Sequence, residues 1–149
     1  MAVANSVVGC IFCQIATGVI AAPVVFQDDT SLAFLDHRPL FPGHALLIPK
    51  PHYETLADLP AALIQPYFAG AQLLASAVEL ALEADGTFVA INNRVSQSVP
   101  HLHTHIAPRR KKDGLRGFFW PRQPYKTPEE AEEIRKKIAA AVDRLRAGA

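Results

Sequence analysis

The stretch QSVPHLHTHIAP, residues 97–108, decides the fold of this chain. Its histidines alternate with Leu, Thr and Ile, and such alternation predicts a β-strand. Side chains at positions i, i+2 and i+4 of a strand share one face, so we expect His101, His103 and His105 to lie together. Crowded imidazoles disfavour one another's protonation, which leaves neutral nitrogens available as nucleophiles or ligands. A three-histidine metal site and a fortuitous surface row are the alternatives.

The flanking sequence predicts the remaining elements. Short β-prone runs indicate strands at 24–26, 31–35, 44–49 and 87–91, of which the first two form a hairpin. Asp58 is placed to cap a long helix ending near residue 84, with Pro60 in its first turn and a break at Pro66. Thr127 followed by Pro128 predicts the start of an amphipathic C-terminal helix.

The composition is that of one globular domain. The chain has 149 residues, half of them hydrophobic, and Lys+Arg 15 against Asp+Glu 14 give a net charge of only +1. This balance does not suggest a nucleic-acid coat protein. There is no run of eighteen apolar residues and no basic start before the first apolar residues, so we expect neither a membrane span nor a secretory signal. A cytoplasmic protein is the expectation.

The two cysteines, Cys10 and Cys13, are too few for a disulfide framework. Their spacing indicates a metal or redox pair in a reducing compartment. Cys-x-x-Cys is also a zinc-ligand spacing, and since no second pair follows, further ligands should be histidines. A redox-active pair and two buried free thiols are the alternatives.

Residues 97–108 closely resemble the signature of the histidine triad (HIT) family, His-x-His-x-His with a Gln four residues ahead. Segments 10–13, 34–36 and 42–50 resemble family segments in the expected order, so the resemblance spans roughly residues 10 to 108. It implies an α+β fold with an antiparallel sheet, a long middle helix and a C-terminal helix, in a homodimer. We expect one domain over 1–149, with its core motifs at 10–108 and a basic loop and helix at 109–149.

The resemblance also implies nucleotidyl hydrolysis or transfer through a covalent nucleotidyl-histidine. His103 is then the nucleophile that attacks the α-phosphorus, which fits the chemistry of a neutral imidazole. His105 donates to a phosphate oxygen or assists the leaving group, and Gln97 and Ser98 hydrogen-bond the phosphate and the incoming water. His44 matches a buried supporting histidine, although an ordinary core histidine explains it equally well.

The nucleoside contacts follow from the same resemblance. Asp36 accepts hydrogen bonds from both ribose hydroxyls, or is a solvated turn residue. Phe12, Ile15 and Phe34 clamp the base, preferably a purine, although core packing explains them nearly as well. Asn92 faces the phosphate or belongs to a turn.

Some members of the family hold a structural zinc with such a cysteine pair and two histidines, which here are His52 and His101. Two thiolates and two imidazoles would close a tetrahedral site suited to structure rather than catalysis. We expect no catalytic cofactor.

Three features depart from the family or remain unassigned by it. Ser96 takes the place of a glycine in the loop before Gln97, which leaves the loop path and substrate preference open. The basic stretch 109–112, continued by Arg116 and Arg122, is a solvated loop or attracts polyphosphate or nucleic-acid ends. The aromatic segment 118–121 shelters a base or seals a dimer interface.

Three functions compete at this point. The first is a hydrolase or transferase acting on nucleoside phosphoramidates, dinucleoside polyphosphates or similar AMP-bearing substrates. The second removes adenylate from nucleic-acid ends, and the third is a nonenzymatic nucleotide-binding module. The intact set of His44, Ser98, His103 and His105 favours an active enzyme over the nonenzymatic module. The second function would need the basic loop to hold DNA without a separate DNA-binding domain, so we take the first, without nucleic acid or membrane as partner.

Overall fold

Five antiparallel strands form the sheet that carries the histidines. The computed structural model describes residues 5–115 and 123–148. The strands are β1 (Val24–Gln27), β2 (Ser31–Leu35), β3 (Ala45–Pro49), β4 (Gly86–Ile91) and β5 (Thr104–Arg109), in the spatial order β1-β2-β3-β5-β4. In the predicted hairpin, Asp28 Oδ1 accepts hydrogen bonds from the backbone N–H groups of Thr30 (2.8 Å) and Ser31 (2.7 Å). The α+β class is confirmed.

The sheet separates two hydrophobic cores, because successive side chains of a strand point to opposite faces. Helix α2 (Ala61–Leu82) covers one face, where the buried core comprises Ala33, Leu47, Leu59, Tyr67, Ala71, Leu74, Leu102 and Ile106. On the other face, helix α1 (Ile11–Ala16) brings Phe12 into a core with Leu32, Phe34, Leu46 and Ile48. The candidate functional residues lie on this second face.

The start of α2 differs from the prediction. Asp58 does not cap it but ends a short 3₁₀ helix (Leu56–Asp58), where its carboxylate accepts hydrogen bonds from the Thr55 backbone (2.9 Å) and hydroxyl (2.7 Å). Pro60 is the N-cap of α2. The residue before a proline is pushed out of the helical region, and Leu59 is accordingly extended, with ψ 121°.

The predicted break at Pro66 is also wrong, since α2 is continuous through it. The proline withholds one hydrogen bond from the carbonyl of Ala62, but Ala62 is exposed, so water can take that place. The helix ends at Leu82, and Glu83 follows in the left-handed conformation (φ 50°). By length and composition α2 could cross a membrane, a test that the core helix of a soluble protein also passes.

Only one of the three signature histidines, His105, lies in regular strand structure, because β5 begins at Thr104. The prediction of a strand through all three is therefore wrong for the first two. His101 closes a turn onto the carbonyl of Val99 (2.8 Å), and the Leu102 N–H bonds to the Tyr53 carbonyl (2.6 Å) in a loop. The alternation persists nevertheless: the side chains between and after the histidines, Leu102, Thr104 and Ile106, are all 0% exposed.

Residues 114–149 form a contact unit of their own, distinct from residues 1–113. It contains α3 (Pro128–Ala147), which starts as predicted, with the Thr127 hydroxyl accepting a hydrogen bond from the Glu130 N–H (3.1 Å). The large apolar residues of α3, such as Ile138 (61% exposed) and Leu145 (73%), are open to solvent. A single domain over the whole chain stays a prediction.

Candidate active site and metal cluster

A cavity of about 470 Å³ lies between α1 and the sheet. Most residues predicted to bind nucleotide line it, namely Phe12, Ile15, Phe34, Asp36, Ser98, His103 and His105. The sequence reasoning missed Ile11, His37, Arg38, Leu46 and Val99, which complete the wall. Leu46 lines the cavity because it pairs with His105 across β3 and β5, and strand register is not readable from one sequence.

One wall of the cavity is aromatic. The rings of Phe12 and Phe34 meet edge to face with centroids 5.4 Å apart, and both residues are buried. Ile15 of the same helix extends this apolar surface. Such a wall accepts a flat, largely apolar group such as a nucleobase.

His103 presents an unprotonated nitrogen. Its Nδ1 lies 2.7 Å from the backbone carbonyl of His101. A carbonyl only accepts hydrogen bonds, so Nδ1 carries the hydrogen and Nε2 keeps its lone pair. The side chain is buried against Phe12, with ring centroids 5.2 Å apart. His103 therefore combines a fixed orientation with a nucleophilic nitrogen at the cavity.

His105 has the opposite tautomer, set by a chain of hydrogen bonds. The Leu40 N–H donates to His44 Nδ1 (3.1 Å), so His44 carries its hydrogen on Nε2. That Nε2–H donates to His105 Nδ1 (3.0 Å), which places the hydrogen of His105 on its own Nε2. The hydrogen bond from the buried His44 thus leaves an N–H donor on His105 beside His103, since the His103 and His105 rings are 5.1 Å apart.

Both members of this chain are held neutral. The pKa of His105 is lowered to about 4, chiefly by burial and in addition by the nearby His103 and His44, against an opposing effect of Asp36. Burial also lowers the pKa of His44, again opposed by Asp36. For His105 and His44, burial contributes more to this neutrality than the crowding of imidazoles.

Asp36 lies at the polar edge of the cavity. Its Oδ1 accepts a hydrogen bond from the Arg38 N–H (2.9 Å), and its Oδ2 lies 3.9 Å from His44 Nδ1. Because His44 is neutral and its Nδ1 already accepts from Leu40, this second contact is a charge beside a dipole and not an ion pair. Asp36 and the two histidines could offer metal ligands, but these hydrogen bonds already engage them.

The loop before the signature places two predicted residues elsewhere. Gln97 turns away from the cavity: its Oε1 accepts from the Arg94 N–H (2.7 Å) and its Nε2 donates to the Glu54 carbonyl (2.6 Å). Asn92 is not among the residues that line the cavity. Ser96 adopts φ +59°, the left-handed conformation for which glycine is suited. The serine at the family's glycine position therefore adopts a backbone conformation that glycine would reach with less strain.

The four predicted metal ligands come together next to His103. The candidate ligand atoms of Cys10, Cys13, His52 and His101 all lie within 4.8 Å of one another. His101 Nδ1 is 3.4 Å from Cys10 Sγ and 3.6 Å from Cys13 Sγ, and His52 Nδ1 is 3.4 Å from Cys13 Sγ. Ligands at about 2.3 Å (S) and 2.05 Å (N) from a tetrahedral zinc would lie roughly 3.6 Å apart.

The tautomer of His101 suits metal binding. Its Nε2 lies 2.8 Å from the Pro49 carbonyl, so that nitrogen carries the hydrogen and the Nδ1 lone pair faces the two thiols. Metal-binding histidines typically donate their second N–H to a carbonyl or carboxylate in this way. The donor set, the distances and the tautomer all fit a bound metal ion.

The guanidinium groups of Arg109 and Arg110, in the basic stretch 109–112, are held by structural contacts. Arg109 Nε bonds to Asp113 (2.6 Å), and the Arg110 guanidinium donates to the Leu82 and Glu83 carbonyls at the end of α2. The Lys111 N–H bonds to Asp85 (2.8 Å). Arg116, Arg122 and the aromatic segment 118–121 lie outside the described residues.

Comparison with known proteins connects this site to a family. The family model described as HIT domain matches residues 17–112. The adenosine 5'-monophosphoramidase of Schizosaccharomyces pombe is 36% identical over 138 residues, covering 89% of this chain and 98% of that protein.

Solved structures agree with the sequence comparison. The crystal structure of a HIT family protein from Bacillus subtilis matches with a TM-score of 0.80 and 36% identity, over 89% of this chain and 96% of that one. The crystal structure of a Zn-bound histidine triad family protein from Mycobacterium smegmatis matches with a TM-score of 0.69 and 35% identity, over 95% of this chain and 98% of that one.

Proposed function

This chain belongs to the HIT domain family, and we propose that it cleaves the α-phosphorus bond of AMP-type substrates through a covalent nucleotidyl intermediate on His103. It is an enzyme of the family's nucleotide hydrolase and transferase class. The observation that carries the proposal is the pair of opposite tautomers at the cavity. His103 offers a lone pair on Nε2, and 5.1 Å away His105 offers a hydrogen on Nε2.

In this reaction His103 Nε2 forms a bond to the α-phosphorus, and the bond to the leaving group breaks with its electron pair. The His105 Nε2–H donates to a phosphoryl oxygen, where charge builds up in the transition state. Water then displaces His103: the oxygen of the water bonds to the phosphorus, and the P–N bond breaks with its electron pair returning to His103 Nε2. Over the two steps together, the phosphorus gains the hydroxyl of the water and the leaving group gains the other hydrogen. Asp36 accepts from the ribose hydroxyls, Phe12 and Phe34 flank the base, and Ser98 bonds to the phosphate.

The predicted phosphate contacts of Gln97 and Asn92 remain part of the proposal. For Gln97 they require its amide to leave the Arg94 N–H and the Glu54 carbonyl, two hydrogen bonds that a phosphate would have to replace. Catalytic hydrogen bonds often tighten only when substrate is present.

The test measures AMP release from an adenosine 5'-phosphoramidate, a diadenosine polyphosphate and an adenylated DNA end. We expect turnover that disappears in His103→Ala and survives in the matched control Asp29→Ala, because Asp29 is exposed in the turn between β1 and β2 and does not line the cavity. Mass spectrometry of quenched wild-type protein should find the nucleotidyl group on His103. AMP binding without turnover of any substrate would replace the proposal by the nonenzymatic binding module.

Adenylate removal from nucleic-acid ends is the less favoured branch. The phosphates of a nucleic-acid end would have to contact the basic stretch 109–112. Within that stretch, Arg109 is already bound to Asp113 and Arg110 to the end of α2. Preferred cleavage of the adenylated DNA end, with a strong dependence on salt, would reverse this choice.

Zinc is the metal that we propose for Cys10, Cys13, His52 and His101. Two thiolates and two imidazoles at tetrahedral spacing are a donor set typical of structural zinc. Elemental analysis of protein purified without added metal should give about one zinc per chain, lost in Cys13→Ser. Metal-free protein whose two thiols react freely with a disulfide reagent would contradict the assignment.

A homodimer is the proposed assembly, with a cytoplasmic location still a prediction. β4 is an edge strand, and its Val89 (47% exposed) lies opposite Ile106, which faces α2. On the outside of α2, Phe68 (40%) and Leu73 (54%) are exposed as well. An edge strand with exposed apolar neighbours is suited to pairing with a second copy. Sedimentation should show a dimer that Phe68→Glu weakens; a monomeric wild type would contradict it.

A further inference from the structure

Helix α1 belongs to the metal cluster and to the nucleotide cavity at once. Cys10 is its N-cap and Cys13 lies in its first turn, and both thiols point to His101 Nδ1. Between and after the cysteines, Ile11, Phe12 and Ile15 line the cavity. One short element therefore carries two of the four metal ligands and a wall of the nucleotide pocket.

This helix has little stability of its own. It spans six residues, and no side chain caps its N-terminus. Isolated helices of this length do not persist in water, so the position of α1 depends on what its side chains contact. Two of those contacts are the thiols on His101, and a bound metal ion would turn them into bonds.

Two routes lead from the cluster to the nucleophile. In the first, the Phe12 ring contacts both His101 (5.9 Å between centroids) and His103 (5.2 Å). In the second, the backbone carbonyl of His101 accepts the Nδ1–H of His103 and sets its tautomer. A displacement of His101 or α1 would therefore shift Phe12 and His103 at the cavity, without any substitution of the residues that contact the nucleotide.

We propose that metal binding at Cys10, Cys13, His52 and His101 and nucleotide binding in the cavity are coupled through α1, so that each raises the affinity for the other. The inference rests on the proposed function only in taking AMP as the ligand of the cavity. The coupling is reciprocal by thermodynamic necessity: the factor by which zinc tightens AMP equals the factor by which AMP tightens zinc. Couplings of this kind amount to about 5- to 150-fold, and we expect about tenfold here.

The experiment measures both sides of this coupling, zinc on AMP and AMP on zinc, with the full-length protein. AMP binding is measured by calorimetry in the zinc-loaded and chelator-stripped forms, and zinc affinity is measured by competition with a chromophoric chelator, with and without saturating AMP. Two equal factors of about tenfold support the coupling. Equal AMP affinity in both forms overturns it and leaves the proposed function intact. Absence of zinc binding overturns it in the same way, whereas absence of AMP binding in both forms overturns the two together.

Two variants separate coupling from general loss of stability. Phe12→Leu keeps the thiols and His101, so it should bind zinc as the wild type does, while the response of AMP affinity to zinc falls below the wild-type factor because only the route through the His101 carbonyl remains. Leu74→Ala cuts a cavity into the other core, beneath α2, and should lower the unfolding midpoint while the coupling factor stays at its wild-type value. Full coupling in Phe12→Leu would overturn the route through the Phe12 ring, and lost coupling in Leu74→Ala would reduce the effect to global stability.

Discussion

Tyr67→Phe tests whether α2 holds the catalytic segment in place through one buried hydroxyl. Tyr67 is 1% exposed, and its hydroxyl donates to the Leu47 carbonyl at 3.0 Å. Its oxygen lies 2.8 Å from Thr104 Oγ1. Because the one hydroxyl hydrogen is used on the carbonyl, this second contact is a hydrogen bond donated by Thr104. Thr104 lies between His103 and His105, so the bond ties α2 to the residues that carry the proposed chemistry.

The variant removes a donor from Leu47 and an acceptor from Thr104 while leaving the ring in the core. A buried polar group left unsatisfied costs about 1–3 kcal/mol, so Tyr67→Phe should lower the free energy of unfolding by about 2–4 kcal/mol. Thr104→Val keeps the Tyr67–Leu47 bond and should cost about 1–2 kcal/mol. The double variant leaves only the Leu47 carbonyl unsatisfied, so its loss should fall short of the sum by about 1 kcal/mol.

Urea unfolding followed by circular dichroism measures all three losses, provided that the denaturant slope stays constant. The matched control is Tyr125→Phe, in which the altered residue is 62% exposed, and its change should stay within about 0.5 kcal/mol. Losses that add to within about 0.3 kcal/mol would show that the two hydroxyls do not interact, and would refute the hydrogen bond between them.

Three further perturbations test other features of the structure. Gly43→Ala should destabilise the protein by about 1–3 kcal/mol in urea unfolding, because φ is +99° and the new Cβ would overlap Leu82 Cδ1, whereas Gly86→Ala meets nothing within 4 Å. Ser96→Gly should relieve the positive φ and raise the free energy of unfolding by up to about 1 kcal/mol, seen as a higher urea midpoint. An unchanged or lower midpoint would contradict the strain. The lowered pKa of His105, about 4 against the ordinary 6.5, means that the unfolded chain takes up the proton first as pH falls. The part of the free energy of unfolding that depends on neutral His105 is fully present above pH 6.5 and is lost as the pH falls to 4. The wild type should therefore lose more stability between pH 7 and 5 than His105→Asn does.

Local signals predicted the elements that depend on neighbours in sequence. Thr127 before Pro128 starts α3 because the cap needs only the N–H three residues on. The α2 boundary failed because two local rules competed: Asp58 has a capping side chain, but Leu59 stands before a proline and cannot be helical. The orientation of Gln97 was not predicted for another reason: the Glu54 carbonyl that accepts a hydrogen bond from its amide is brought there only by the tertiary fold.

The histidine alternation was predicted correctly as a pattern and wrongly as a strand, and the cause lies in what the intervening residues do. Leu102, Thr104 and Ile106 are all fully buried, so they fix the side from which the histidines emerge whether or not the backbone is hydrogen-bonded to a neighbouring strand. The backbone before Thr104 bonds to Tyr53 in a loop, which frees His101 to turn toward the thiols of α1. A continuous strand would have presented three equivalent imidazoles. The break at Thr104 instead divides them between two sites, and the carbonyl of His101 still holds the ring of His103. The same few residues thus connect the candidate metal ligands to His103, the proposed nucleophile, which is why a change at either site should be measurable at the other.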